Sequence, residues 1–188
     1  MARNVADLPT ALPELAISQE GFAAPSPQLV MLNDELATQL GLSPQWLRSD
    51  AGLKFLTGRG ADHGVGQETD TPLGAYTTPM ATAYAGHQFG NFAGLLGDGR
   101  ALLLATVEAE PGLTGLHCPP NQPDCPKETT HSDNTQSYEI QAKGTGPTPF
   151  SRGGDGKATL TSALREYLIS EAMYALGIPT TRALAVIK

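Results

Sequence analysis

Residues 84–100 read Y-A-G-H-Q-F-G-N-F-A-G-L-L-G-D-G-R, and residues 141–156 read Q-A-K-G-T-G-P-T-P-F-S-R-G-G-D-G. Glycine at this density leaves backbone N–H groups accessible to a bulky anion. Each stretch also carries a cation. Arg100 directly follows the G-D-G of residues 97–99, and Lys143 ends an alternating, strand-like segment. Backbone donors combined with a guanidinium and an ammonium are typical of a polyphosphate site. The pattern therefore predicts nucleotide binding.

The same residues carry a family resemblance. The motifs Y-A-G-H-Q-F-G, L-G-D-G-R, K-G-x-G-P-T-P-F-S-R-G-G-D-G and A-L-G-I-P-T-T-R-A-L-A resemble the selenoprotein O family of protein adenylyltransferases. The likeness begins weakly within residues 25–46 and becomes dense from residue 84 onward, apart from one long insertion. That family has a protein-kinase-like fold, binds ATP in an inverted orientation and transfers AMP to protein hydroxyls.

The resemblance implies an α+β fold similar to a kinase N-lobe, with a twisted antiparallel sheet, one long helix and an N-terminal extension. We expect residues 1–56 to form the extension and residues 57–188 an incomplete nucleotide-binding lobe, in which residues 108–136 are an inserted loop. Family members are much longer, so we expect the C-lobe to be absent. Catalytic residues and the ligands of Mg²⁺ would lie there, none of them in this chain, and the chain alone is expected to be inactive.

The resemblance also implies which residues bind ATP. These nucleotide-binding residues are Gly97, Gly99, Arg100, Lys143, Asp155 and Gly156. Glu166 would support the site through an ion pair with Lys143, since kinases hold a strand lysine with a helix glutamate.

Other interpretations of these residues stay open. Residues 97–99 are also compatible with a hairpin turn. Asp155 could be the N-cap of the long helix, and its position would also suit an anion at a helix N-terminus. We interpret His87 as a hydrogen-bonded structural residue, not a catalyst. The aromatic residues of the first stretch are interpreted as packing residues, with adenine stacking as the alternative: Tyr84, Phe89 and Phe92.

Local signals predict the secondary structure. Asn33 or Asp34 should cap a short helix that ends near Gly41, and Ser43 with Pro44 should begin a turn of helix. Further helices are predicted over residues 78–85 and 158–176. The second is expected to pack against the sheet through an apolar stripe of Leu164, Leu168, Ala172 and Ala175. Strands are predicted over residues 101–107 and 137–143, and the alternation of the second places Lys143 on its polar face. Residues 1–26 read as an extended arm and residues 57–78 as a loop.

Composition restricts the partners. The net charge of -7 argues against a nucleic-acid surface, although a local basic site including Arg100, Lys143 and Arg152 could still bind a nucleotide. No apolar stretch approaches the roughly 20 residues of a membrane helix. Composition therefore predicts a cytoplasmic protein. The family resemblance implies that its partners are ATP and proteins that bear Ser, Thr or Tyr hydroxyls.

Two cysteines lie within the expected insertion. Cys118 and Cys125 are close to His117 and His131, but this spacing fits none of the usual structural zinc patterns. A zinc site and a disulfide remain minor alternatives to an ordinary surface loop.

The predicted function is protein adenylyltransferase. The alternatives are a non-catalytic nucleotide-binding module, a kinase-like enzyme that transfers a phosphoryl group, and an interaction domain whose glycine loops are only turns.

Overall fold

A computed structural model describes residues 12–59, 78–109 and 136–188, and its strands form two antiparallel sheets. The large sheet has the order β1-β3-β5-β6, with β4 also paired to β3, and the small sheet pairs β2 with β7. The strands are β1 (Ala16–Ser18), β2 (Leu29–Leu32), β3 (Met80–Gln88), β4 (Asn91–Gly97), β5 (Ala101–Ala109), β6 (Gln136–Lys143) and β7 (Ala185–Ile187). With the helices below, the fold is α+β, as the sequence predicts.

Strand β3 organises the large sheet, and its assignment corrects a prediction. The helix expected over residues 78–85 is wrong, although M-A-T-A-Y-A contains residues that favour helices locally. Pairing with β1 along one edge and with β4 and β5 along the other overrides this preference. Met80 and Ala81 are completely buried as a result.

Strands β4 and β5 follow one another along the same partner. The registers Ala83↔Gly97 and Met80↔Leu103 place both strands antiparallel to β3, and residues 98–100 connect them. The hairpin turn proposed for residues 97–99 is therefore wrong, since β4 and β5 both pair with β3. The tight turn lies between β3 and β4 at Phe89 and Gly90, which both have positive φ.

Three short helices follow β2 and begin at side-chain caps. They are α1 (Asp34–Gln39), α2 (Pro44–Leu47) and α3 (Asp50–Leu56). The Asn33 side chain accepts a hydrogen bond from the Leu36 backbone N–H, and Ser43 accepts one from the Trp46 N–H. Both predicted caps are thus confirmed.

The larger hydrophobic cluster joins these helices to the large sheet. It packs buried helix residues such as Leu36, Leu47 and Phe55 against Leu104 and Ile140 of the sheet. Along β6 buried and exposed residues alternate, which confirms the predicted two-residue period and leaves Lys143 exposed. Because β1 joins the large sheet and the short helices share its core, the N-terminal segment is packed against the rest of the described chain; the division at residue 56 stays a prediction.

The long helix α4 (Leu160–Ala175) is present, but its predicted packing is wrong. It packs chiefly against β7 of the small sheet, and none of its residues is buried. Leu168 of the expected apolar stripe is 60% exposed, and the neighbouring Ile169 is 61% exposed. No helix among the described residues is long and apolar enough to span a membrane.

Candidate phosphate-binding cleft

A cleft of about 380 Å³ lies between the connection from β4 to β5 and the loop that precedes α4. It is lined by Gly97, Gly99, Arg100, Phe150, Ser151, Arg152, Gly154, Asp155, Gly156 and Lys157. Five of the six residues expected to bind the nucleotide are in this lining, and only Lys143 is not. The two glycine-rich stretches, far apart in sequence, therefore face one common space.

Two hydroxyl groups tie the walls of the cleft together. Thr148 Oγ1 donates a hydrogen bond to the Asp98 carbonyl, and Ser151 Oγ donates one to the Gly99 carbonyl. Ser151 Oγ also accepts from the Thr148 backbone N–H at 2.7 Å. These bonds satisfy the carbonyls of the connection between β4 and β5 and fix its distance from the opposite loop.

Gly97 and Gly99 allow this close approach. A Cβ atom at Gly97 would lie 2.2 Å from Phe150 Cγ, and one at Gly99 would lie 3.1 Å from the Phe150 carbonyl oxygen. Any side chain at Gly97 would therefore overlap the Phe150 ring. The absence of side chains at these two positions serves contact between the loops, a role that the sequence interpretation, based on access for an anion, did not include.

The second loop closes on itself beside the cleft. Gly146 N donates to the Gly156 carbonyl at 3.1 Å, and Thr145 pairs with Lys157 in an isolated bridge. Gly156 has φ +67, and a Cβ there would lie 1.9 Å from the Gly146 oxygen. Only glycine fits this position.

Asp155 acts within this loop and not as a helix cap. Its Oδ1 accepts a hydrogen bond from the Lys157 backbone N–H at 3.0 Å. The N-cap of α4 is Thr159, whose side chain accepts from the Ser162 N–H. The proposed capping role of Asp155 is therefore wrong, and Asp155 and Gly156 precede the helix by several residues.

Lys143 and Glu166 form the expected ion pair beside the cleft. Lys143 Nζ lies 2.9 and 2.8 Å from the two carboxylate oxygens of Glu166, and both side chains are about half exposed. The Gly144 N–H donates to the Arg100 carbonyl at 2.6 Å, so the end of β6 adjoins the cleft. The contact is present, whereas its role toward a nucleotide remains a prediction.

A second ion pair fixes the helix that carries Glu166. Arg182 Nη2 lies 2.7 Å from Glu171 Oε2, and Asn33 Nδ2 donates to the same oxygen. Burial raises the pKa of Glu171, but the hydrogen bonds from Arg182, from the Ala183 N–H and from Asn33 outweigh it, and the pKa falls below its usual 4.5. This cluster connects α4 to the segment before β7 and to the N-terminal cap of α1.

The charges of the lining residues are mainly positive. Arg100, Arg152 and Lys157 are the cations, and Asp155 is the carboxylate. Arg152 has φ +49, a backbone conformation that is uncommon outside glycine and often found at functional sites. Sequence reasoning did not select Lys157, although it directly follows the G-G-D-G motif and that position was the available signal.

The outer part of the hairpin of β3 and β4 does not enter the core. Tyr84, Phe89 and Phe92 are 48%, 98% and 67% exposed, so their interpretation as packing residues is wrong. The ring of His87, interpreted as a structural residue, lies 5.3 Å from that of Phe92.

The described ranges contain no group of three or more His, Cys, Asp or Glu side chains that could hold a metal ion. Cys118 and Cys125, with the neighbouring histidines, lie outside the described residues, as does most of the loop predicted over residues 57–78.

Comparison with known proteins gives a consistent result. The sequence model of the family described as protein adenylyltransferase SelO matches residues 16–115 and 128–188. The internal unmatched residues, 116–127, fall within the stretch expected to be an insertion. The chain is 48% identical over 176 residues to the protein nucleotidyltransferase YdiU of Mycolicibacterium smegmatis, covering 94% of this chain and 29% of that protein. It is 47% identical over 182 residues to the YdiU of Corynebacterium glutamicum strain R, covering 97% and 31%. The chain thus spans about three-tenths of the length of these relatives.

Proposed function

Because this chain belongs to the SelO family of protein adenylyltransferases, we propose that it supplies the N-terminal part of an ATP site in an enzyme that transfers AMP to proteins. The acceptors would be Ser, Thr or Tyr hydroxyls. The observation that carries the proposal is the cleft in which Arg100, Arg152 and Lys157 face one space between two glycine-rich loops. Such a cleft suits a polyphosphate because guanidinium and ammonium groups neutralise phosphate oxygens.

The proposal includes a kinase-like N-lobe for the large sheet and α4. It is supported by Lys143 at the end of a strand and Glu166 on a helix, joined by contacts of 2.9 and 2.8 Å. In kinases this type of pair keeps a phosphate-binding lysine in place. Glu166 would orient Lys143 toward the phosphates of ATP, beside Arg100.

The proposed reaction is nucleotidyl transfer at the α-phosphorus of ATP. The acceptor oxygen forms a bond to this phosphorus, the bond to the bridging oxygen of the β-phosphate breaks, and pyrophosphate leaves with the electron pair. The role proposed for Arg100 and Lys143 is to hold the phosphates and neutralise the developing charge. The proposal assigns the ligands of Mg²⁺ and the group that receives the acceptor proton to the C-lobe that the family resemblance implies.

The remaining parts of the proposal concern partners and location. ATP and hydroxyl-bearing proteins are the proposed partners, and nucleic acid and membrane are not. The net charge of -7 supports the exclusion of nucleic acid. A cytoplasmic location is proposed on composition alone.

A chimera tests the function directly. In it, this chain replaces the matching segment of the Mycolicibacterium smegmatis relative. We expect label from ATP labelled at the α-phosphate to reach protein, no label from ATP labelled at the γ-phosphate, and loss of transfer in Lys143→Ala and Arg100→Ala. Lys54→Ala, an exposed lysine on α3, is the matched control. Transfer of the γ-label would favour a kinase instead, and absence of both labels from a folded chimera would contradict the proposal.

A non-catalytic nucleotide-binding module is the second candidate. It is favoured by one observation, that residues 97–100 and 150–157 supply both walls of the cleft and its three cations. This candidate is tested by calorimetric titration of the chain with ATP, with and without Mg²⁺, combined with the transfer assay on the chimera. ATP binding that Lys143→Ala weakens, in a chain whose chimera transfers no AMP, would support the module over the enzyme.

A further inference from the structure

Lys143 cannot by itself make the cleft positive, because Glu166 compensates its charge. Both Glu166 oxygens contact the Lys143 ammonium, so this pair contributes little net charge. The positive charge of the cleft therefore comes from its lining residues, and Lys157 is one of them. Within the described ranges Lys157 takes part in none of the three ion pairs.

The backbone of Lys157 is fixed at the edge of the cleft. Its N–H donates to Asp155 Oδ1 at 3.0 Å, and it pairs with Thr145 in the bridge that closes the loop. The fixed backbone consequently determines the direction of the Lys157 Cα–Cβ bond. A lysine side chain on a fixed backbone still has a flexible stem, so the position of its ammonium needs a further contact.

Phe22 of the N-terminal segment provides that contact. The Lys157 ammonium lies 5.3 Å from the centroid of the Phe22 ring, within the range of cation–π attraction. Phe22 is held in turn by its N–H, which donates to the Thr145 carbonyl at 2.6 Å. A Cβ atom at Gly146 would lie 2.5 Å from Phe22 Cβ, so the two segments are in close contact.

We propose that Lys157 is a further phosphate-contacting residue of this cleft and that Phe22 is the positioning residue that holds its ammonium there. The ligand is the polyphosphate part of a nucleotide, so the inference rests on the proposed function and extends it. It also assigns the N-terminal segment a part in nucleotide binding, since Phe22 lies far from residues 84–156 in sequence. Because one face of the ring contacts the ammonium without neutralising it, the charge stays available to a phosphate.

Calorimetric titrations of the 188-residue chain with ATP and with adenosine test the proposal. For Lys157→Gln we expect the Kd for ATP to rise roughly tenfold, about 1.4 kcal/mol by conversion, and the Kd for adenosine to stay unchanged. The dependence of ATP affinity on salt should become shallower, because one charge contact is lost. Lys157→Arg should retain affinity, since arginine keeps the charge and the ring contact. Lys54→Gln removes the same charge from α3 and should change nothing.

Phe22→Leu tests the positioning role. Alone it should weaken ATP binding by less than Lys157→Gln does, roughly threefold, and in the Lys157→Gln background it should add no further loss. A loss that persists in the double variant would assign Phe22 to loop packing and overturn its positioning role.

The outcomes separate the two proposals. An unchanged Kd for Lys157→Gln, together with weaker binding by Arg100→Ala, would overturn the assignment of Lys157 and leave the nucleotide site intact. Equal losses of ATP and adenosine binding in Lys157→Gln would also overturn the assignment of Lys157. Such losses indicate a structural defect, because the loss of a phosphate contact would weaken the binding of ATP alone. Absence of ATP binding by the folded parent chain and also by the folded chimera would overturn the proposed site itself.

Discussion

Replacing Gly97 by alanine tests whether this position lacks a side chain because the two loops of the cleft pack together there. The added Cβ would lie 2.2 Å from Phe150 Cγ and 2.6 Å from both ring Cδ atoms, so the Phe150 ring or the backbone has to move. Gly97 is not among the glycines with positive φ, so the cost is steric and not conformational. Overpacking of this kind costs about 1–3 kcal/mol, and the lower entropy of the unfolded alanine chain offsets about 0.4–1 kcal/mol. We expect a net loss of about 1–2 kcal/mol in the free energy of unfolding.

The assay is urea unfolding followed by the fluorescence of Trp46, the single tryptophan of the chain. Gly94→Ala is the matched control on the same strand, because its Cβ would meet nothing closer than Phe92 Cε1 at 3.7 Å. It should leave stability unchanged or slightly raised. Phe150→Leu in the Gly97→Ala background should recover part of the loss, since the smaller side chain makes room for the methyl group. Equal stability of the two alanine variants, or no recovery in the double variant, would refute the packing argument.

Four further predictions concern the ion pairs and the connection between β4 and β5. Glu166→Gln should change the free energy of unfolding by less than about 1 kcal/mol, because the ion pair is half exposed, but should weaken ATP binding in calorimetry; a large stability loss with unchanged ATP affinity would contradict its role. The pKa of Glu171 is lowered on folding, so its stabilisation is present above its unfolded pKa near 4.5 and is lost as pH falls through the folded pKa. The free energy of unfolding, measured from pH 7 to pH 3, should fall in this range, and it should depend less on pH in Glu171→Gln. Identical pH dependence in the two proteins would contradict this role of Glu171. Arg182→Ala leaves this carboxylate without its largely buried partner and should cost about 3 kcal/mol, seen in the urea midpoint. Asp98→Ala removes hydrogen bonds from the Thr82 N–H and hydroxyl and should cost about 1–2 kcal/mol, whereas Asp98→Asn, which keeps an acceptor oxygen, should cost less.

Features governed by local chemistry were predictable from the sequence. The caps at Asn33 and Ser43 depend on side chains that reach only three residues along the chain. The buried and exposed alternation of β6 follows from one strand facing one core. The pairing of Lys143 with Glu166 was expected only through the family resemblance, because a strand and a helix meet there through tertiary structure.

Features governed by distant partners were not predictable. Met80 and Ala81 belong to a segment with helical preference, and only pairing on two edges makes it a strand. The exposure of Leu168 could not be foreseen from a helical pattern, which shows that a face is apolar but not what covers it. Gly97 is required by Phe150, and no spacing rule connects these two residues.

The small sheet has a consequence for the order in which the molecule is made. Leu29 of β2 pairs with Ile187 of β7, and Gln28 and Lys188 exchange backbone hydrogen bonds in both directions. A growing chain therefore carries β2 unpaired until β7 has been translated, and β7 follows every other strand of the described ranges. Contacts of such long sequence separation slow folding, and an unpaired edge strand is a point of self-association during the delay. Completion of the small sheet is thus expected to be the slow step in refolding from urea, after the large sheet has formed.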